Sequence, residues 1–518
     1  MVSLATLKQT ADNGLRYLQR QKDIAEAEVF VASNATFTAR LNYTSHIPCN
    51  GVEEPKSTES SGLSIRAVFR DPKGSRVGMG SEPGDLSLDG VKAALEKARR
   101  VAVHDPDFTT LPTPSLERRT LTKYHDPKVM DLKDADLVHV GWQLLTQALG
   151  AFGEAPALQA LPNAKRKLRD LGLIVGGDIT LLLERMAIGS FRLPKVQTDE
   201  STLIASFVTA MVEQKGAKGS GYACTTNLNK FRGEAGAEAA RNAVAAMEGV
   251  RIKDGEYAVV LGPQPVTDLM NNLVLPSLSV GSFYDCSSTF HGNLGRQVAN
   301  ETLTIYDHGA LPGHMGSKGL TCEGLPTGRT DLIKNGMLVG LLSSFYETER
   351  IVRDPDAKEK LGAPPEEYTS ALVPRNGFRF SGSGGRQFDT QPSVSPTNVF
   401  IEGRDKKTLE DLLHEVRNGV YIGRIWYTYP INGLRAGDFT STVVGDSFLI
   451  KDGKLAAPVK ANTVRINDNI HRVLRNIIGI TKKRRGTVVW AADEVVYAPE
   501  VAVSSLKLNE IASYVESL

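Results

Sequence analysis

The sequence predicts an α+β protein: an N-terminal α/β layer domain followed by a strand-rich C-terminal domain. Two patterns carry this. Before residue 110 the chain runs helix, strand pairs, helix, and does not alternate strictly between strand and helix as a parallel sheet requires. Beyond Arg251 it is mostly short strand-like runs, with the hairpin signals Asn335-Gly336 and Asp452-Gly453 between them. The chain has 518 residues, 41% apolar and 23% charged, a globular composition that fits more than one domain. The expected boundaries are 1–235, with a helical elaboration near 110–170, and 250–518, with a loop elaboration near 350–395.

Leu4, Leu7, Ala11, Leu15 and Leu18 recur at helical steps and give an opening amphipathic helix. Ala25–Ala32 and Ala35–Leu41 read as two strands around a turn at Ser33-Asn34. Ser64–Phe69 and Arg76–Ser81 read as a second hairpin, and Asp85 to Val103 as a helix that stops before His104-Asp105-Pro106. Pro112 to Asp131 reads as a connection, Asp134 to Phe152 as a helix, and Leu171 to Glu213 as strand. The Gly-rich Gly216–Gly221 reads as a turn. It precedes an alanine-rich helix, Gly233 to Glu248, suited to close packing. In the second half, strands are expected at Glu256–Leu261, Glu301–Tyr306, Thr330–Lys334, Met337–Ser343, Thr397–Glu402, Val420–Tyr429, Ser447–Ile450 and Val501–Leu506. Helices are expected at Val266–Leu278, Lys407–Asn418 and Asn469–Ile477, and residues 352–394 read as a long surface loop.

Lys plus Arg number 61 against 59 Asp plus Glu, a balance that gives no electrostatic case for nucleic acid or an anionic membrane. The cysteines Cys49, Cys224, Cys286 and Cys322 are far apart, which excludes a disulfide framework and zinc-ribbon spacing. Each is expected to be a buried structural thiol. No run of about 18 apolar residues is present to span a membrane, and the charged N-terminal helix is unlike a signal peptide. A cytoplasmic location is the expectation.

Motifs for chemistry are sparse. His414-Glu415 starts a metal-helix pattern, but Asn418 and Gly419 stand one turn later and an amide is a poor zinc ligand. His308 and His314 flank a loop with two glycines and a proline, without an evident third ligand. Phe380–Gly385 has the glycines of a serine elbow but not the spacing. Lys482-Lys483-Arg484-Arg485 is the only basic run and reads as a solvated loop.

The order of several segments nevertheless resembles one family. Gly262-Pro263-Gln264-Pro265-Val266 leads into a helix, followed by Gly281-Ser282, Ser287–Phe290 and Leu294-Gly295-Arg296-Gln297-Val298. Then come Leu303-Thr304-Ile305, Asp307-His308, Glu323-Gly324, Thr327–Gly336, Gly419–Ile422, Gly437-Asp438-Phe439-Thr440, Ile450–Lys454 and Pro458-Val459. Gly62–Arg66, Gly78–Ser87 and Gly221–Cys224 match more loosely, and about 110–170 and 350–395 fit poorly. The whole resembles the TldD/PmbA proteins, called modulators of DNA gyrase in older usage, and is most similar to the PmbA/TldE branch.

That resemblance implies a paired peptidase acting on unfolded polypeptides or peptide precursors. Its TldD-type subunit holds zinc on a His-Glu-x-x-x-His helix with a C-terminal cysteine. Here the equivalent helix, Val266–Leu278, has neither His nor Glu, and no cysteine follows Cys322. The resemblance therefore implies a metal-free subunit without catalytic residues or cofactor of its own. It would enclose a substrate chamber with a zinc-bearing TldD-like partner, or pair with itself. Exposed strand edges would bind extended peptide by β-augmentation. Glu323, Arg329, Asn432 and Asp438, polar residues beside glycines, are the expected chamber-side residues; the alternative for each is a turn residue satisfying nearby backbone. Two rival readings stand beside this one. One is a stand-alone homodimeric peptide-binding scaffold of the same fold. The other is a free-standing hydrolase built on His308, His314 and a carboxylate such as Asp307. Gyrase modulation has no support in a chain without a basic face or recognition helix.

Overall fold

The computed structural model describes residues 1–41, 51–72, 74–160, 172–231, 234–380, 384–488 and 495–511. The N-terminal half is a six-stranded antiparallel sheet in the spatial order Arg76–Pro83, Lys56–Phe69, Ile24–Leu41, Leu173–Ser190, Gln197–Val212 and Ala217–Thr225. Helices Leu4–Leu18, Leu88–Val101, Asp134–Glu154 and Glu234–Ala245 pack their apolar stripes against it. The first two start at serine caps, Ser3 accepting from the Thr6 N–H and Ser87 from the Asp89 N–H.

Three expectations change here. Ser33-Asn34 is not a turn, because Ile24–Leu41 is one continuous strand paired on both sides. Both residues are buried and their side chains find partners: Ser33 Oγ accepts from the Val2 N–H, and Asn34 donates to the Arg386 carbonyl. Turn propensity yields where two ladders and side-chain partners satisfy the same groups. Gly216–Gly221 is likewise mostly strand. Side chains at Gly219 and Gly221 would collide with the backbone of helix Glu234–Ala245, whose alanine face lies directly on them. The connection 112–131 is not a free tether, since Leu121 and Val129 are buried and Tyr124 donates to Asp199 at 2.8 Å.

The C-terminal half holds two sheets around one core. The first, mixed, runs Met337–Leu338, Arg329–Lys334, Leu303–His308, Asn398–Gly403, Val495–Ala498, Arg485–Thr487. The second, nine-stranded, runs Arg424–Pro430, Asp438–Gly445, Val464–Asn469, Val501–Glu510, Gly255–Leu261, Gly419–Ile422, Phe448–Lys451, Lys454–Pro458, with Ile477–Ile480 also on Val501–Glu510. Leu269 and Leu273 of the segment 263–277 share a core with Val259 of the second sheet and Ile305 of the first. The two hairpin signals hold: Asn335 and Asp452 have φ of 48° and 47°, each followed by a left-handed glycine.

Residues 352–394 are not a surface loop. They contain helix Ala357–Leu361 and the paired strands Gly377–Phe378 and Ser393–Val394. Arg379 and Arg386, both 0% exposed, reach the N-terminal sheet. Arg379 donates to Glu28 at 2.8 Å, and Arg386 donates to Asp199 at 2.7 Å through its side chain and to Glu184 at 2.9 Å through its backbone N–H. Phe378 and Phe388 pack with Phe30, Met186 and Ile188 of the same sheet. Among the described residues no helix is long and apolar enough to cross a membrane.

Candidate functional site

The segment that the resemblance equates with a metal helix enters at Gly262 and runs helically from Pro263 to Ser277. Between Met270 and Val274 it widens to π geometry. Pro276 explains the widening, because a proline inside a helix lacks an N–H and crowds the carbonyl four residues earlier, that of Asn272. π-Turns recur at functional sites.

One face of this segment packs on the edge strand Arg424–Pro430. Gln264 treats that strand as a partner would, accepting the Ile425 N–H at 2.9 Å and donating to its carbonyl at 3.2 Å. Asp268, one turn on, is 6% exposed and faces Thr428. Burial raises its carboxyl to about 6, and the neighbouring Thr428 hydroxyl offsets only part of that shift. Thr428 donates in turn to Ser441 at 2.7 Å. Asp268 Oδ2 and both polar atoms of the Asn271 side chain are buried without a hydrogen-bond partner among the described residues.

This set does not fit zinc. It offers one carboxylate with amides and hydroxyls, where a zinc site needs three or four imidazole, thiolate or carboxylate donors. Among the described residues no three His, Cys, Asp or Glu side chains gather in metal-binding geometry. Of the cysteines, Cys322 is buried and its thiol is pushed up to about 12 by burial, which keeps it inert. Cys224 and Cys286 are half-buried rather than buried as expected, and Cys49 lies outside the described residues.

The expected chamber residues fall in different places. Asn432 and Asp438 share the hairpin after the edge strand: Asn432 is exposed in a left-handed turn (φ 61°), and Asp438 accepts from Asn469 at 2.9 Å. Arg329 belongs to the other sheet, paired with Asp331 at 2.8 Å and stacked 3.8 Å over the Tyr306 ring. Glu323 is 1% exposed and accepts the Phe345 N–H at 2.9 Å, at the start of helix Phe345–Arg353. Burial lifts its carboxyl to about 7, more than that hydrogen bond and the Arg66 charge lower it. Asp307 is sealed by Thr397 and Asn376, while His308 is half-buried and held below its ordinary value by burial and then by Arg329. His314 packs edge-on against Phe400 and Tyr497.

The basic run is only partly a solvated loop. Arg485 pairs with Glu238, stacks 3.6 Å over Tyr222 and so joins the two halves of the chain. Sequence reading also passed over Asp268 and Arg424. A single acid inside an apolar helix was the available signal for Asp268. Arg424, two residues from Trp426 on the same strand, showed none until the fold brought Phe207 to it.

This arrangement, a helical segment clasped by a strand-rich C-terminal domain, has counterparts among known proteins. Residues 254–510 match the family model described as PmbA/TldA metallopeptidase C-terminal domain. A metalloprotease of Synechocystis is 30% identical over 244 residues, covering 47% of this chain and 46% of that protein. A metalloprotease TldD homolog of Buchnera aphidicola (Acyrthosiphon pisum) is 22% identical over 471 residues, covering 85% of this chain and 86% of the homolog. The crystal structure of TldE from Thermococcus kodakarensis superposes with a TM-score of 0.75 at 18% identity, covering 96% of this chain and 100% of that one. The class is thus the metallopeptidase-related fold that TldE shares. The C-terminal half of this chain, residues 254–510, belongs to the TldD/PmbA family. The chain spans about half the length of the first curated relatives it matches (46% and 47%).

Proposed function

We propose that this chain is a metal-free, TldE/PmbA-like subunit of a cytoplasmic TldD/TldE-type metalloprotease complex. It encloses a chamber for unfolded polypeptides and peptide precursors together with a zinc-bearing TldD-like subunit. The observation that carries this reading is the donor set of the segment 263–277. That segment has neither the two imidazoles nor the glutamate that the resemblance requires, and the one carboxylate and two amides it does carry, Asp268, Asn271 and Asn272, neither hold zinc nor acidify a water. Peptide binding by strand addition has little room on the edge strand Arg424–Pro430. Gln264 occupies the Ile425 backbone, a bulge interrupts the ladder between Trp426 and Tyr429, and Pro430 lacks an N–H. Recognition on that side therefore falls to side chains.

The test is purification of the tagged chain from its native source, with zinc analysis and a peptidase assay on the chain, on what co-purifies, and on both. Activity that requires a zinc-bearing partner supports the reading. A chain that alone carries about one zinc and cleaves peptides overturns it, since a catalytic ion is held through several ligands. A stable homodimer with no partner and no cleavage favours the scaffold instead.

A further inference from the structure

Arginines buried in this fold are paired. Arg379 has Glu28, and Arg386 has Asp199 and Glu184. Arg424 differs. Its guanidinium lies 4.7 Å from the centre of the Phe207 ring and 5.6 Å from that of Trp426, yet it makes no hydrogen bond or ion pair with any described residue. The counter-charge that acts on it, Asp446, is engaged elsewhere, accepting the Ser220 N–H at 3.3 Å and the Ser220 hydroxyl. Burial holds Arg424 below its ordinary value, and only the Asp446 charge opposes this.

Phe207 belongs to the N-terminal sheet and Trp426 to the C-terminal edge strand, so the two halves of the chain place this side chain together. All three residues are half-buried, not sealed. Two aromatic rings contact the guanidinium by cation–π interaction, which uses none of its N–H donors. A fork of donors that is positioned, partly desolvated and unspent matches a planar carboxylate, which it can bind through two parallel hydrogen bonds. The neighbouring Asp446 carboxylate disfavours a more highly charged phosphate.

We propose that Arg424, held between Phe207 and Trp426, is a binding site for a peptide carboxylate, either a C-terminus or an acidic side chain. The choice of a peptide rests on the function proposed above; the anion site itself rests on the geometry alone.

The test uses the full-length chain without a partner, titrated by calorimetry and by tryptophan fluorescence. The probes are acetyl-Ala-Ala-Ala with a free C-terminus, its C-terminal amide, acetyl-Ala-Asp-Ala-amide and inorganic phosphate. At least one peptide carboxylate should bind about tenfold or more tighter than the uncharged amide, the usual worth of a charge-assisted hydrogen bond. The preferred one identifies the source. Arg424→Gln should bring that peptide to the amide's level while leaving the melting temperature unchanged or higher, because a desolvated charge without a partner is removed. Equal binding of acid and amide overturns the proposal. So does binding of phosphate alone, or a sharp fall in melting temperature in Arg424→Gln with peptide discrimination unchanged. If no TldD-like partner is found but the acid–amide difference appears, the complex fails and this site stands. If the partner is found without that difference, only this site falls.

Discussion

Replacing Arg386 by Met should weaken the union of the C-terminal half with the N-terminal sheet. The guanidinium is 0% exposed, donates to Asp199 at 2.7 Å and lies 3.5 Å from Glu184. Removing one partner of a buried ion pair usually costs roughly 3–5 kcal/mol, because the other charge is left unpaired. Here the partners are not abandoned. Asp199 keeps Arg119 at 2.5 Å, Tyr124 at 2.8 Å and the Gly319 N–H at 3.1 Å. Glu184 keeps Lys318, Ser201 and the Arg386 backbone N–H at 2.9 Å. Two carboxylates then face two cations, and Met fills much of the arginine stem, so the loss should sit at the low end, about 3 kcal/mol. A second readout is pH. Burial would raise the Glu184 carboxyl from its ordinary 4.5, but the charges of Lys318 and Arg386 and their hydrogen-bonding neighbours lower it to about 2. The stability it contributes is full above 4.5 and is lost as pH falls towards 2, so weakening this set moves acid unfolding to higher pH. Urea unfolding followed by circular dichroism at neutral pH, and an acid titration, measure both. A loss below about 1 kcal/mol with an unmoved acid limb would refute the view that Arg386 carries net stabilisation, and would place this set among buried pairs that merely break even.

Two further changes test other parts of the fold. Glu323→Gln should flatten the pH dependence of stability between about 4.5 and 7, since the raised carboxyl contributes stability below 4.5 that is lost as pH rises through about 7. Melting temperatures at pH 4 and pH 8 should therefore converge in the variant, and an unchanged gap would argue that Glu323 does not titrate there. Gly236→Ala should destabilise the N-terminal half by about 1–3 kcal/mol, the range for overpacking, because a methyl there collides with the Leu144 carbonyl where two helices cross. Urea unfolding checks it, and a neutral or stabilising effect would show that the helices can part without cost.

The sequence by itself determined the elements whose signal is local. Periodicity gave the helices Leu4–Leu18 and Leu88–Val101, and Asn-Gly and Asp-Gly gave their hairpin turns, since these preferences act within a few residues. It also determined the absence of imidazole and glutamate from Val266–Leu278, which is a matter of composition. Tertiary structure decided where local preference competes with distant partners. Ser33-Asn34 became strand because its neighbours on both sides offered ladders. The polar stretch 352–394 went inward because the carboxylates of Glu28, Glu184 and Asp199 on the N-terminal sheet compensate Arg379 and Arg386. Arg424 acquired its two rings from strands more than two hundred residues apart, a juxtaposition that only the packed fold creates. Local propensity reports on the backbone, whereas the burial of a charge depends on which opposite charge the whole fold brings within reach.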